Sequence, residues 1–521
     1  MLKPLPVRDW NYAMAAHLLN RAGFGGPPRE IEALADRGPE SAVNFVVDYE
    51  SIPDPTPNPA WAKPDPDRLK KIREVNQRGT PEEKKQLQRE ENQLQRDRLM
   101  ELRGWWLQRM AVGPRPFQEK MVLFWHGHFA TSAEKVRNAY YLWRQNELFR
   151  RLATENWQHL LLEAGKDPAM LVWLDQAQSS RQHPNENFAR EVMELFALGE
   201  GHYTERDVTE AARALTGWTL DRAREKFVYR PQIHDAGPKT FLGRTGNWSG
   251  EDVIEQIIAQ PQSARFITGK LWNYFAGQPP SQELNTGLAA VFRASGGNFK
   301  PLLRTMFRSE EFYQASVLRN QVKSPVQWLV GSVRALECPL PTPLISCGMI
   351  RQLGQDLFAP PNVKGWDGGT SWITTNTLLA RYNDAESLVQ GTLPPMGPGD
   401  LGGKTKAAGG GGTKGGAEAA ACPYGRRVVC RIFGVSIASN AFELGNHCFD
   451  VRLLGRLICK ICLNCRLSIT PNFVSEVRAT RRLLPLIIAW HAGSFKRWLS
   501  NRRAKRNKCL KSQRWPRGLA G

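Results

Sequence analysis

The spacing of apolar residues predicts helices along most of the first 390 positions. The clearest start is at Thr80, where Thr80, Pro81 and Glu83 supply N-cap, N1 and N3 of a capping box. The stretch that follows is rich in Glu, Lys, Gln, Arg and Leu, and Leu99, Leu102, Trp106 and Met110 recur at helical steps. Gly113-Pro114 stops it. One long helix over about 81–112 is expected, polar early and buried late. Before it, 52–66 is proline-rich and reads as an extended surface loop.

A second unit is HPNENFAREVMELFALGEGHYTERDVTEAARALTGW. Phe188, Val192, Leu195 and Phe196 recur at helical spacing, and Gly199 is placed to end that helix. Thr204 with Asp207 opens the next, whose face Val208, Ala211 and Leu215 runs on to Gly217. So short a connection predicts an αα-hairpin. Ser249 with Asp252 opens another helix, and 266–275 and 301–307 predict two more. Strand signals are confined to 227–229 and 239–242, and no repeat of fixed period occurs. The expected fold is mostly α: a large multi-helix domain over 1–390 with loop insertions and at most a minor hairpin.

The 521 residues are 41% hydrophobic and 23% charged, which supplies a sizeable core and excludes wholesale disorder. No apolar run approaches the roughly 20 residues that span a bilayer, and the mean hydropathy of -0.45 agrees. The formal charge of +21 suggests nucleic acid until it is located. Residues 401–521 hold 23 Lys+Arg against 4 Asp+Glu, a net of +19, whereas residues 1–400 hold 48 against 46. The body is near neutral, and no specific nucleic-acid binding is expected of it. Its two cysteines, Cys338 and Cys347, suit a reducing compartment. The N-terminus shows no secretory signal, so a cytoplasmic location is the default expectation.

Four polar features carry candidate chemistry. In Trp125-His126-Gly127-His128-Phe129, two His one residue apart can turn to one side of an extended segment and bind a divalent metal. Alternatively Phe117, Met121 and Phe124 make this stretch helical, with His126 in the last turn and Gly127 just past it. Asn187, Glu191 and Glu194 lie at steps of four and three along one helix side, where carboxylates serve as ligands or as acid and base. A salt-bridged surface is the plainer reading, and Glu186 with Arg190 is expected as an exposed i,i+4 pair. His234-Asp235, in a loop that runs to Lys239, is either a base or ligand pair or a turn in which Asp235 bonds its own backbone. PPNVKGWDGG places Trp366 and Asp367 on a Gly-rich loop, as a stacking platform for a ligand or as a loop anchor with Trp372.

The candidate roles are catalysis for Glu191, His234 and Asp235, ligand binding for Asn187, Lys239, Trp366 and Asp367, and metal ligation for His126, His128 and Glu194. No Gly-x-Ser-x-Gly elbow, P-loop, Rossmann fingerprint or His-Glu-x-x-His occurs in the body, which argues against the familiar hydrolases, nucleotide enzymes and zinc proteases.

HLLNRAGFG, LFWHGHFATS, NENFAREVMELFALGEGHYTERDV, EAARALTGWT, HDAGPKTFLG, VKSPVQWLVG and PPNVKGWDGGTSWI, in this order, resemble the bacterial family called domain of unknown function 1800. The resemblance covers about residues 17–382 and is similar to the form in planctomycete-type bacteria. It implies no reaction, substrate or cofactor. It does imply a partner, an exported protein encoded nearby, and hence association with the cell envelope.

The tail departs from that resemblance. Residues 391–421 are Gly-, Ala- and Pro-rich and read as a linker. Residues 422–521 are basic and cysteine-rich, expected to be irregular or disordered. Cys459, Cys462 and Cys465 form C-x₂-C-x₂-C, but Ile469 stands where a cluster's fourth Cys belongs. Basic runs at 481–499 and 502–508 suit a membrane surface or phosphate backbones. A slipped reading frame near the Gly-rich tract accounts for all three at once. Two functional readings remain: a metal-assisted hydrolase or related enzyme, or a non-catalytic binding or assembly module acting with a partner protein at the cell envelope.

Overall fold

Helix after helix begins where the sequence offers a start, in a computed structural model that describes residues 2–394. The linker and tail readings beyond residue 394 lie outside the described residues. The capping boxes at Thr80/Glu83, Thr204/Asp207 and Ser249/Asp252 all form, and Ser324 with Gln327 makes another. Such a cap is worth about 1 kcal/mol, enough to fix where a helix starts. Helix Pro81–Val112 spans the expected range and ends at Gly113, whose amide donates to the Arg109 carbonyl. Its first turns are exposed, whereas Leu102, Trp106, Leu107 and Met110 are fully buried. In that buried half Gly104 admits Pro343, which would stand 2.7 Å from a Cβ there.

The proline-rich stretch runs without helix only as far as Asp65. There it caps Pro66–Arg78, a helix the pattern of prolines hides. This helix lies beside the exposed half of Pro81–Val112, tied by Arg68 to Glu91 at 2.6 Å.

The central element is Pro116–His128, buried at every position from Phe117 to His126. A helix enclosed all round must satisfy its polar side chains internally. Glu119 does so with Arg150 (Nε 2.7 Å, Nη2 2.9 Å), Arg109 Nε (2.9 Å) and Trp106 Nε1 (2.9 Å). Burial works to raise the Glu119 carboxyl, and the two guanidiniums outweigh it and hold it below the ordinary range. Around this helix pack Ala139–Arg151 and Pro81–Val112, and the core holds the fully buried Trp106, Trp125, Trp157, Trp218 and Trp272.

The fold is mostly α, with two small antiparallel hairpins where one at most was expected. Trp218–Asp221 pairs with Lys226–Tyr229, and Lys239–Phe241 with Arg244–Gly246. The two strand signals therefore do not pair with each other. Each closes on its own neighbour across a short turn, and His234-Asp235 lies between the hairpins.

Glu186–Glu191 and Glu205–Leu215 pack as the expected αα-hairpin. Between them Val192–Ala197 is a π-helix, not a continuation of the α-helix. Gly199, at φ +84°, ends it with its amide on the Met193 carbonyl.

Candidate functional site

Three motif segments meet at the C-terminal end of the central helix: the helix end itself, the π-helix and the Gly-rich loop. Gly365 adopts φ +83°, and a Cβ there would stand 2.4 Å from the Gly127 carbonyl oxygen. Only glycine allows the loop backbone so near the helix. Next to it the Trp366 ring lies 5.7 Å from the His126 ring, and Lys364 is a charge neighbour of Glu191.

The two histidines do not act as a pair. They lie on a continuous helix that runs through His128, so the extended-segment expectation is corrected: i and i+2 on a helix point to different sides. His126 Nε2 accepts from the Phe358 amide at 3.1 Å. Its ring meets Trp106 edge-on at 5.0 Å and Phe358 at 4.9 Å. Burial first, then the Arg103 charge, lowers it to about 3, so it is neutral. Phe358 has a left-handed φ of +61°, and its carbonyl accepts from Ala133 at 2.7 Å. His126 thus holds one end of a strained peptide.

His128 turns to the π-helix. Its Nε2 bonds the Phe196 carbonyl at 3.0 Å, and Lys270 Nζ stands 3.2 Å from its Nδ1. Lys270 also donates to the Leu195 carbonyl at 2.9 Å, and Gln262 Nε2 to the Leu198 carbonyl at 3.1 Å. These three side chains satisfy carbonyls at the end of a widened turn, which is why the π geometry is stable here. Both ring nitrogens are committed, and burial, with Lys270 second, keeps His128 well below its ordinary range. Burial also lowers Lys270, to about 8. His126, His128 and Glu194 therefore do not fit a metal-ligand set. Among the described residues no three His, Cys, Asp or Glu side chains are grouped closely enough to hold a metal ion.

The carboxylate stripe is partly brought together. Glu191 and Glu194 are half-buried charge neighbours, and Tyr203 donates to Glu194 at 2.9 Å. Burial raises the Glu191 carboxyl, Glu194 raises it further, and Lys364 and Arg190 oppose. Asn187 is exposed. The expected Glu186–Arg190 pair does not form. Arg190 bonds Glu205 across the hairpin at 2.6 and 2.7 Å, and Glu186 accepts from Thr209 at 2.9 Å.

His234 and Asp235 form the turn, not a base pair. Asp235 accepts from the Gly237 amide at 2.9 Å and from Arg213 Nε at 2.7 Å, with Arg213 foremost in keeping it ionised. His234 Nδ1 bonds the Thr216 carbonyl at 2.8 Å. Lys239 is buried and its ammonium closes the loop on the Asp235 and Gly237 carbonyls at 2.6 and 2.9 Å. Trp366 is half-buried against His126 and Trp372 is buried, while Asp367 is exposed. The loop is anchored by its tryptophans.

A feature the sequence reading missed is a cleft of about 780 Å³ between Pro66–Arg78, residues 135–138 and the first hairpin's turn. Arg68, Arg73, Lys135, Arg137 and Arg222 line it, against the carboxylates of Asp175 and Glu225. Three lining residues hold left-handed backbone without being glycine: Arg137 (φ +48°), Asp175 (φ +59°) and Glu225 (φ +52°). Such strain persists only where its surroundings enforce it, and it gathers at functional places. Glu225 is buried and accepts from Asn138 Nδ2 at 3.2 Å. These residues come from separate segments, so no contiguous motif announces them.

A family model described as Protein of unknown function (DUF1800) matches residues 17–473. The match runs past residue 382, where the motif resemblance ends, into the tail. No curated protein and no solved structure matches the chain. Among the described residues no helix is long and apolar enough to cross a membrane.

Proposed function

We propose, for a chain that belongs to the DUF1800 family of proteins of unknown function, that the body is a non-catalytic binding module acting with a partner protein at the cell envelope. The fate of the polar motif residues carries this reading. An enzyme site needs its groups convergent in a cleft with lone pairs and protons to spare. Here His126, His128, His234, Asp235 and Lys239 are each engaged by backbone, guanidinium or ammonium partners of the fold. The cleft contains none of them. Of its five cations, Arg68 is paired with Glu91 and Lys135 with Asp175, and the remaining Arg73, Arg137 and Arg222 suit an acidic segment of a partner, with charge complementarity setting specificity and on-rate.

The test is co-expression with the protein encoded beside its gene, followed by affinity measurement on the purified pair. Reversing cleft charges with Arg137→Glu and Arg222→Glu should weaken the complex at least tenfold, whereas His126→Gln should leave it intact. The tail is identical in every variant and cancels. Binding insensitive to the cleft substitutions refutes the assignment. So does one equivalent of divalent metal that is lost with His128→Gln.

One observation favours a second reading. Glu191 is a half-buried carboxyl of raised pKa beside a second carboxylate, at the end of the α-helix where the π-helix begins, and this is how acid–base pairs are tuned. An activity abolished by Glu191→Gln, with partner binding unchanged, would establish catalysis without a histidine-bound metal.

A further inference from the structure

Two motif segments that neither functional reading uses, HLLNRAGFG and VKSPVQWLVG, are packed against each other. A Cβ on Gly331 would stand 2.8 Å from the Phe24 carbonyl oxygen and 3.4 Å from Lys323 Nζ, so the second segment's helix rests directly on the first segment's turn. That contact brings cations together. Lys120, on the central helix, sends its ammonium to the Gly23 carbonyl at 2.8 Å. Arg21 reaches the Val317 carbonyl at 2.7 Å and Asn320 Oδ1 at 2.6 Å through Nη2. Arg381, on helix Thr375–Gln390, donates to the backbone carbonyl of Lys323 at 3.1 Å.

Arg21, Lys120 and Arg381 are buried, at 4%, 1% and 5% exposure. Among the described residues, the charges that act on Lys120 are Lys323 and Arg21, and those that act on Lys323 are Arg21 and Arg381. No carboxylate is among them. Asp384, one turn beyond Arg381, is raised by burial alone and answers none of the four. Two buried guanidinium nitrogens, Arg21 Nη1 and Arg381 Nε, have no hydrogen-bond partner among the described residues. Buried cations without counter-charge are costly, and buried donors without acceptors add to the cost. A natural fold holds such a group together when something else supplies the charge.

Access is through Lys323. The residue as a whole is exposed, while burial of its ammonium against the Gly331 face, with Arg21 and Arg381 adding to it, lowers it from the ordinary lysine range. We propose that Arg21, Lys120, Lys323 and Arg381 form a binding site for a dianionic tetrahedral oxyanion, either free phosphate or sulfate or the phosphoryl group of a small ligand. Lys323 is the member that reaches the surface, the two arginines supply the unpaired donors, and buried Lys120 adds positive charge when protonated. Planar guanidinium forks match tetrahedral oxyanions, which is the reason to prefer this ligand over a monovalent anion.

The site is independent of the cleft, and its test uses the full chain. Sulfate, inorganic phosphate and glycerol 3-phosphate are titrated calorimetrically at constant ionic strength, with chloride as the control. Wild-type protein should show one saturable site per chain for sulfate and phosphate, weakened at least tenfold in Lys323→Gln and unchanged in the cleft variant Arg222→Gln. Tighter binding of glycerol 3-phosphate than of phosphate would identify the phosphoryl group of a larger ligand; equal or weaker binding would identify the free oxyanion.

Because burial favours a neutral Lys120, sulfate should be taken up together with protons, seen as a heat that varies with buffer ionisation enthalpy. A decisive variant is Lys323→Glu, which builds the missing counter-charge into the chain. It should raise the melting temperature in chloride and abolish the rise that sulfate gives wild type. The proposal fails if sulfate stabilises Lys323→Glu as much as wild type. It also fails if sulfate binding is the same in wild type and Lys323→Gln, which would place the anion on the basic tail.

Discussion

Mild acid should destabilise this fold, and His126 should account for a measurable share. Burial first and a neighbouring cation second hold His126 and His17 to about 3, the cations being Arg103 and Arg21. Burial, then Lys270, lowers His128 as well. In the unfolded chain each titrates near roughly 6.5. A depressed folded value means stability that is complete above the unfolded pKa and is lost as pH falls toward the folded one.

Each such group costs about 1.4 kcal/mol per pH unit in that window, so His17 and His126 together cost about 5 kcal/mol between pH 6.5 and 4.5. His128 adds in the same direction. Asp167 opposes them: burial raises it to about 7 against hydrogen bonds from Met170 and Gln145, so it gains as pH falls and offsets about half of that loss. The assay is urea unfolding followed by tryptophan fluorescence at fixed ionic strength from pH 7 to 4.5. The variant is His126→Gln, whose carbonyl oxygen replaces Nε2 as acceptor for the Phe358 amide. Its stability should fall less steeply, by about 1.4 kcal/mol per pH unit. A slope identical to wild type would refute a buried neutral His126.

Glu119→Gln should cost about 3 kcal/mol in the same assay at pH 7, because Arg109 and Arg150 lose their shared buried counter-charge while keeping Asp54 and Glu147; a loss below about 1 kcal/mol would show that the network is not held by charge. Gly365→Ala should destabilise by about 1–3 kcal/mol, since both the left-handed backbone and the contact with Gly127 oppose a methyl group, and it should speed proteolysis of the loop. The expectation that the tail adds nothing to the body predicts that a chain ending at residue 394 melts at the same temperature as the full chain; a lower midpoint or insoluble product would show the tail to be part of the fold.

What was legible in the sequence was local. The capping boxes at Thr80, Thr204 and Ser249 and the extent of Pro81–Val112 follow from residues within one turn of each other. Glu191 and Glu194 were correctly read as neighbours for the same reason. What was not legible depends on distant groups. The π-helix is held by His128, Lys270 and Gln262, which reach its carbonyls from 64 to 75 positions away in the chain. Arg190 has Glu186 within one turn, but the fold offers it Glu205 in better geometry. The helix Pro66–Arg78 goes unread in the sequence because Pro66, here an N1 residue, reads like the end of the proline run over 52–66. No pattern within a single segment could assemble a cleft from four of them.

The bond from the Phe358 amide to His126 spans 232 residues, and that from Arg334 to the Gly25 carbonyl spans 309. A ribosome adding roughly 5–20 residues per second needs on the order of ten to fifty seconds to travel from His126 to Phe358. Throughout that interval the buried central helix has emerged without some of the segments that enclose it. Helix Pro325–Leu336, which rests on the Phe24 turn, arrives later than nearly everything it covers. Nascent chains are therefore committed to a long wait with their sticky surface uncovered, and productive biogenesis rests on a holding chaperone or on prompt release, not on the intrinsic speed of helix formation.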